Sequence, residues 1–301
     1  MLTADQPLYS MAKQIQWHWP QLYGEDKYLV MFGGLHIEMA ALKSLGNLLK
    51  DSGWTSAIAE AEVASSRTAD SFLSAASVTK TRQAHQITAC SLYKLMKKAF
   101  TDYCHEADDY DEMTFESWSE KRRMESPQFQ YWYMILSMEL TILSLVRSFR
   151  EGNFPLYCEA LSELIPYFFA NNNVNYARWL PIHLRDMLSL EQHHPQLALE
   201  FQIGNFIIHK SDREFSSLAI DQAHEQANAV IKGDGGVIGV TEDASALRRW
   251  MVAGPEVSHL VEQYEATSGV KGKAKCTKHH EQTVRDQKLF IEKVSKLYTV
   301  M

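Results

Sequence analysis

The chain has 301 residues, of which 46% are hydrophobic and 22% are charged, so it can fill a substantial core and lacks the composition of a disordered protein. Its formal net charge of −7 disfavours a stand-alone nucleic-acid-binding domain, which is typically basic. The four cysteines are widely separated, without a paired spacing, and no signal peptide is recognisable at the start. We therefore expect a soluble, intracellular protein.

The first 53 residues predict half of an α/β unit. Apolar side chains follow helical spacing in residues 7–18, at Leu8, Met11, Ala12, Ile15 and Trp19. Asp5 stands at the entrance of this helix, where a carboxylate suits the positive helix end. The apolar run KYLVMFGG, residues 27–34, is the best strand candidate, and the helix that follows it ends at Gly53.

The pattern from residue 54 to about residue 200 is helical throughout. Residues 129–149 approach the length needed to span a bilayer, about 20 residues. This segment contains Glu139 and Arg147, which favours a buried core helix, and we expect no membrane partner. The acidic residues 106–116 are interpreted as an exposed linker, and FQIGNFIIHKS, residues 201–211, as a second strand pair or hairpin.

A short helix is predicted in AIDQAHEQANAVIKGDGG, residues 219–236. Its polar residues Asp221, Glu225, Asn228 and Lys232 recur at steps of four, three and four, so they share one helix face. Such a face is either a catalytic edge or a solvated surface. The glycines of GDGG follow the helix, which favours a helix end and a turn over a phosphate-binding loop.

The charge of the chain is unevenly distributed. Residues 271–301 contain eight Lys or Arg against three acids, a local charge of +5. The candidate nucleic-acid-binding residues are therefore Lys271, Lys273, Lys275, Arg248 and Arg249. A solvated helix face is the alternative interpretation of this basic tail.

Several blocks resemble a family of uncharacterised, transposon-associated animal and fungal proteins. That family has a Phe-Asp-Gln-Pro-Leu segment, then Leu-Gly-Gly-Phe-His before a long helix that ends in Gly-Ser-Gly. Here the same order is Asp5-Gln6-Pro7-Leu8, then Gly33-Gly34-Leu35-His36, then Asp51-Ser52-Gly53. NYARWLPIHLRDM, AIDQAHEQANAVIKGDGGVIGVTED and ALRRWMVAGPE are similar to later blocks of a group within the family, so the resemblance spans nearly the whole chain.

A second resemblance concerns mechanism. Transposases of the ribonuclease-H-like type, including Mutator-like and hAT-like members, use three acids and two metal ions. The order Asp5, His36, Glu225, with Glu225 and Asn228 matching a Glu-x-x-Asn pattern, is similar to theirs. The resemblance implies that Asp5 and Glu225 bind Mg²⁺ or Mn²⁺, and that His36 orients the site or the leaving strand. A site that is not functional would need no cofactor.

These observations predict a mainly α, multi-helical fold with a small residual β element. Residues 1–53 and 201–252 are expected to form a partial ribonuclease-H-like α/β core, interrupted by a helical insertion at 54–200. Residues 253–301 are expected to be C-terminal helices with the basic tail.

The first acid of a ribonuclease-H-like site lies on an earlier strand, and this chain begins only four residues before Asp5. We therefore expect an incomplete catalytic domain in a transposase-derived protein that is inactive alone. If it is active, the reaction is metal-dependent cleavage and transfer of a DNA strand. If the transposase ancestry still determines its location, that location is the nucleus. The alternatives are a helical scaffold without an active site, or a weak DNA binder that uses the basic tail.

Overall fold

The computed structural model describes residues 1–106, 113–211, 213–232, 245, 248, 252, 285 and 289–291. The elements in chain order are β1 (Leu2–Ala4), α1 (Gln6–His18), α2 (Pro20–Tyr23), β2 (Val30–Phe32), α3 (Gly34–Leu49), α4 (Trp54–Glu60), α5 (Ser66–Phe72), α6 (Val78–Glu106), α7 (Phe115–Glu125), α8 (Pro127–Glu151), α9 (Phe154–Ala170), α10 (Val174–Leu188), α11 (Leu190–His193), α12 (Pro195–Gln202) and α13 (Ile220–Lys232). The mainly helical fold with a small β element is confirmed.

The sheet has two strands, which run parallel. Leu2 pairs with Val30, and Ala4 pairs with Phe32. Strand β2 is buried at every position, as its continuous apolar sequence predicts. Strand β1 was not predicted, because three residues with an exposed Leu2 are too short to show a periodicity.

Helix α1 begins one residue before its predicted start and has an unexpected orientation. An amphipathic helix normally buries its apolar stripe, yet the exposed fractions of Leu8, Met11, Ile15 and Trp19 are 56%, 54%, 41% and 55%. The buried residues of α1 are instead Tyr9, Lys13 and Gln16.

The inward face of α1 is held by a group of charged side chains around Lys13, which is 1% exposed. Lys13 Nζ lies 2.5 Å from Glu25 Oε1 and 2.8 Å from Asp186 Oδ2. Arg185 contacts the same two carboxylates. Burial acts to raise the pKa of Glu25, but hydrogen bonds from Lys13 and Trp17 outweigh it and lower that pKa to about 2. These ion pairs join α1 to the segment after α2 and to α10.

The hydrophobic core lies among the long helices. Helix α8 packs against α3, α6, α7 and α9. It is long and apolar enough to cross a membrane, but 56% of its most apolar window is buried inside the protein. Its Glu139 points inward and lies 3.0 Å from Nδ1 of the buried His85. Helix α8 is therefore a core helix of this fold, as predicted.

One expectation about a connecting segment was wrong, and the predicted bounds of another were too wide. Helix α12 extends into the predicted hairpin at 201–211, where only an isolated antiparallel bridge, Ile208 to Leu218, forms. Helix α7 begins within the predicted linker, because Thr114 caps it by accepting a hydrogen bond from Ser117 N at 3.1 Å. The rest of that linker, residues 107–112, lies outside the described residues.

The chain divides into two compact units. The first comprises Met1–Asp221 with Arg285–Met301, and the second comprises Gln222–Val284. The helices of the proposed insertion at 54–200 therefore share a unit with residues 1–53. The ribonuclease-H-like division into core, insertion and tail remains a prediction.

Replacing Lys13 with Met should destabilise the protein by about 2 kcal/mol, because Glu25 and Asp186 lose the cation between them. The carboxylate of Glu25 is partly exposed, and its contact with solvent moderates this cost. Urea unfolding followed by circular dichroism measures this loss. Lys43→Met, at an exposed position of α3, is the matched control and should change the unfolding free energy little. Equal effects of the two variants would contradict a structural role for Lys13.

Candidate functional site at the carboxyl edge of the sheet

The two sequence blocks singled out above meet at one edge of the sheet. Strand β1 ends at Ala4 and strand β2 ends at Phe32, and a helix begins almost immediately after each strand. Gly33 N donates to Ala4 O at 2.8 Å, which closes the parallel ladder. Because carboxyl ends of parallel strands lie at the same edge, the segments carrying Asp5 and His36 are brought together.

Asp5 is the N-cap residue of α1. Its Oδ1 accepts a hydrogen bond from Leu8 N at 3.2 Å, and Pro7 occupies the first turn of the helix. A capping acid followed by a proline in the first turn is a common helix start. The Asp-Gln-Pro-Leu block thus has a structural role in this chain, and the carboxylate of Asp5 remains partly exposed.

Asp221 organises this edge through its hydrogen bonds. It is 8% exposed, so the solvated-surface alternative was wrong for this member of the helix face. Its Oδ1 accepts from Leu35 N at 3.0 Å, and its Oδ2 accepts from His36 N at 3.2 Å. It therefore caps α3, where a negative charge is favoured by the helix dipole.

The same carboxylate orients the imidazole of His36. Asp221 Oδ2 lies 3.0 Å from His36 Nδ1, and the imidazole is partly exposed. A carboxylate bound to one ring nitrogen of a histidine fixes the ring orientation and the tautomer. Asp221 is thus a positioning residue for His36.

Tyr176, on α10, completes the edge. Its hydroxyl donates to His36 O at 3.1 Å, and its ring stacks on Phe32 of β2. Burial, together with the negative charges of Asp5 and Asp221, raises the pKa of Tyr176 to about 12. The phenol therefore stays protonated and remains a hydrogen-bond donor at neutral pH.

The two glycines of the Gly-Gly-Leu-His block are explained by close approaches. A Cβ atom on Gly33 would lie 2.5 Å from Asp221 Oδ2, and a Cβ atom on Gly34 would overlap the ring of Phe149. A larger residue at either position would displace the carboxylate or the core helix α8. The two glycines of this block therefore leave the space that Asp221 and Phe149 occupy at the start of α3.

The remaining candidate residues belong to the second unit or lie outside the described residues. Glu225 and Arg248 are exposed and belong to the second unit. Arg249, Lys271, Lys273 and Lys275 lie outside the described residues. The joint action of Asp5, His36 and Glu225 thus remains a prediction.

No metal-binding group is found in the part of the chain that the structure describes. Within residues 1–106, 113–211 and 213–232, no three His, Cys, Asp or Glu side chains are grouped so that they could hold a metal ion. Both oxygens of Asp221 accept hydrogen bonds at the start of α3. Metal binding by Asp5 and Glu225 remains a prediction.

A buried histidine, His183, lies against a side chain of β2. His183 Nε2 lies 2.7 Å from the hydroxyl of Tyr157, and the His183 ring packs edge-on against Phe32. Burial, aided by the positive charge of Lys13, lowers the pKa of His183 to about 3. His183 is therefore neutral in the folded protein at physiological pH.

The comparison with protein families decides the classification of the chain. The model described as "Domain of unknown function (DUF8702)" matches residues 1–122 and 109–301. The chain belongs to this family. No curated protein and no solved structure matches it.

Asp221→Ala should lower the unfolding free energy by about 3 kcal/mol, because Leu35 N and His36 N lose their acceptor. Glu225→Ala, one turn further along α13 at an exposed position, is the matched control and should change it by less than about 0.5 kcal/mol. Chemical denaturation gives both values, and the imidazole ¹⁵N shifts of His36 report the loss of its fixed tautomer. An Asp221→Ala variant with unchanged stability and unchanged ¹⁵N shifts would overturn this assignment.

The lowered pKa of His183 predicts that the free energy of unfolding decreases as the pH falls. Because its pKa falls from 6.5 to about 3 on folding, the unfolded chain takes up the proton first. The stabilising contribution is complete above pH 6.5 and is lost as the pH falls toward 3. In this window, His183→Gln should reduce the slope of unfolding free energy against pH by about 1.4 kcal/mol per pH unit.

Urea titrations at several pH values measure this slope. His193→Gln, at an exposed position, is the control and should leave the slope unchanged. The same slope in wild type and His183→Gln would show that His183 is not held neutral.

Proposed function

We propose that this chain is a transposase-derived protein, and that the carboxyl edge of its sheet is the acid and histidine part of a ribonuclease-H-like phosphodiester site. One observation carries the proposal. Asp5 and His36, from separate sequence blocks, are on segments that meet at the same edge of a parallel sheet, with the imidazole oriented by Asp221.

One feature of the edge suits a phosphodiester. The N-termini of α1 and α3 are already capped by the carboxylates of Asp5 and Asp221, so the contact with a phosphate falls to the imidazole of His36. A protonated imidazole, paired with Asp221 through Nδ1, would attract a phosphate oxygen. In this proposal, His36 orients the DNA strand and Asp5 supplies a carboxylate beside it.

The proposal assigns no two-metal centre to the chain alone. Asp221 is committed to capping α3, and Glu225, which the transposase resemblance names as a metal ligand, belongs to the other unit. The chain would then retain affinity for DNA, through the basic residues Lys271, Lys273 and Lys275, without cleaving it.

A second candidate function is a protein scaffold, and the orientation of α1 favours it. The outward stripe Leu8, Met11, Ile15 and Trp19 is continued by the exposed side chains of Leu22 and Tyr23 on α2. Exposed apolar patches of this kind mark interaction surfaces. In this candidate, the α1 stripe is buried against a second copy of the chain.

DNA binding tests the first candidate. Fluorescence anisotropy with a labelled duplex should show binding at low salt that weakens steeply as salt increases. Replacing Lys271, Lys273 and Lys275 together with alanine should lower the salt slope by about 3. The matched control replaces the exposed Lys43, Lys94 and Lys98, which changes the net charge equally and should preserve binding.

Two further outcomes separate the candidates. Nicking of plasmid DNA with Mn²⁺ that disappears in Asp5→Asn, which keeps a capping side chain, would contradict the incomplete site. Absence of DNA binding at low salt, combined with concentration-dependent association that Ile15→Glu abolishes in sedimentation experiments, would favour the scaffold.

A further inference from the structure

An open groove follows the first half of helix α8, with side chains of α7 and α9 beside it. Its floor is one stripe of α8, because residues 127, 130, 134 and 137 recur at steps of three and four and share a helix face. The groove has a volume of about 370 Å³. At 1.5 Å per residue, the stripe is about 15 Å long. The lining side chains that matter most are Arg123 of α7, Gln130, Tyr131, Tyr133 and Ser137 of α8, and Tyr167 of α9.

Two of the tyrosine rings are held in place by the protein itself. The ring of Tyr133 stacks on Phe129, with 6.2 Å between the ring centroids, and Phe129 packs edge-on against the buried Trp118. The hydroxyl of Tyr131 donates to Leu48 O at 2.8 Å. Rings that are fixed before binding reduce the conformational entropy that a complex loses. The aromatic surface of the groove is therefore already formed in the free protein.

The polar groups of the lining indicate which backbone conformation fits. Among the described residues, four lining side chains have no hydrogen-bond partner, namely Gln130, Tyr133, Ser137 and Tyr167. Their hydroxyl and amide groups can donate to free carbonyl oxygens. A bound helix would offer few free carbonyls, and a bound strand needs a sheet edge, which three helices do not provide. A polyproline II segment has no internal hydrogen bonds, so its carbonyls are available to these donors.

The groove also has a charge preference. Arg123 is its charged lining residue, and in the described part of the chain no carboxylate lines it. The guanidinium lies 4.8 Å from the ring centroid of Tyr133, which joins the α7 and α8 sides of the groove. Its Nη1 donates to Glu120 at 2.7 Å in a partly exposed pair, while its Nε is buried without a partner. Because exposed pairs contribute little, an acid from a ligand can share or replace Glu120.

We propose that this groove binds a proline-rich segment of another protein in the polyproline II conformation, with an acidic side chain that pairs with Arg123. Proline rings pack against aromatic faces, and the preformed segment loses little entropy on binding. At 3.1 Å per residue, about five residues cover the stripe. The lining residues belong neither to the sheet edge nor to the basic tail, so this binding is independent of a transposase origin.

Fluorescence anisotropy of the full chain with the labelled peptide Pro-Pro-Glu-Pro-Pro-Pro tests the proposal. Binding should saturate, and a peptide with alanine in place of every proline should bind about tenfold more weakly. Tyr133→Ala should weaken binding of the proline peptide by a similar factor, because it removes a ring and a donor. Tyr93→Ala, at an exposed tyrosine on α6, is the matched control and should leave the affinity unchanged.

A charge exchange tests the role of Arg123 without relying on a loss of binding. Arg123→Glu should weaken binding of the glutamate peptide and strengthen binding of a peptide with lysine in place of glutamate. A folding defect cannot reverse this preference. Arg67→Glu, at an exposed position of α5, changes the net charge equally and should keep the preference for the glutamate peptide.

Three results would overturn the proposal: no binding of the proline peptide, equal binding of the alanine peptide, or the same charge preference in wild type and Arg123→Glu. Equal binding of the alanine peptide would indicate an apolar partner of another kind. The lysine variants of the basic tail should bind the proline peptide as wild type does, so a failure of the DNA-binding test and a failure of this one are distinguishable.

Discussion

The buried carboxylate of Asp221 is the constraint on which the sheet edge depends. It joins the start of α13 to the start of α3, far apart in the chain, through hydrogen bonds from Leu35 N and His36 N. The orientation of His36 and the need for glycine at position 33 both follow from that one placement. Removing two buried acceptor sites costs more than removing any exposed contact, because the amides cannot recover water.

A second polar anchor explains why α1 has its apolar stripe outward. Lys13 is tied to Glu25 and Asp186, and Gln16 donates to Tyr28 O at 2.6 Å. A buried ion pair seldom adds much net stability relative to apolar packing, but leaving one partner unpaired is costly. The paired charges therefore fix the rotation of α1 about its axis, and the side chains Leu8, Met11 and Ile15 are left on the surface as a consequence.

The local sequence patterns predicted most of the helices and strands. They did not predict the polar contacts between residues far apart in the chain. The apolar run predicted β2, the capping Asp5 predicted the start of α1, and apolar spacing predicted α3, although α3 ends at Leu49 and not at Gly53. Periodicity cannot distinguish a stripe that faces the core from one that faces solvent when ion pairs decide the rotation, as in α1. It likewise cannot show that Asp221 is buried, because its partners lie 185 and 186 residues away.

An acid that caps a helix and a catalytic acid cannot be distinguished by position alone, since both place a carboxylate at the positive end of a helix. Sequence alone therefore gives the same expectation for Asp5 and Asp221, and burial separates them. Asp221 is buried and accepts hydrogen bonds with both oxygens, so it holds the start of α3 and orients His36. Asp5 is partly exposed and accepts one hydrogen bond, from Leu8 N, so its second oxygen can still meet a substrate. In the proposed function, the chemistry at this edge therefore falls to Asp5 and His36, and Asp221 holds the imidazole of His36 in place.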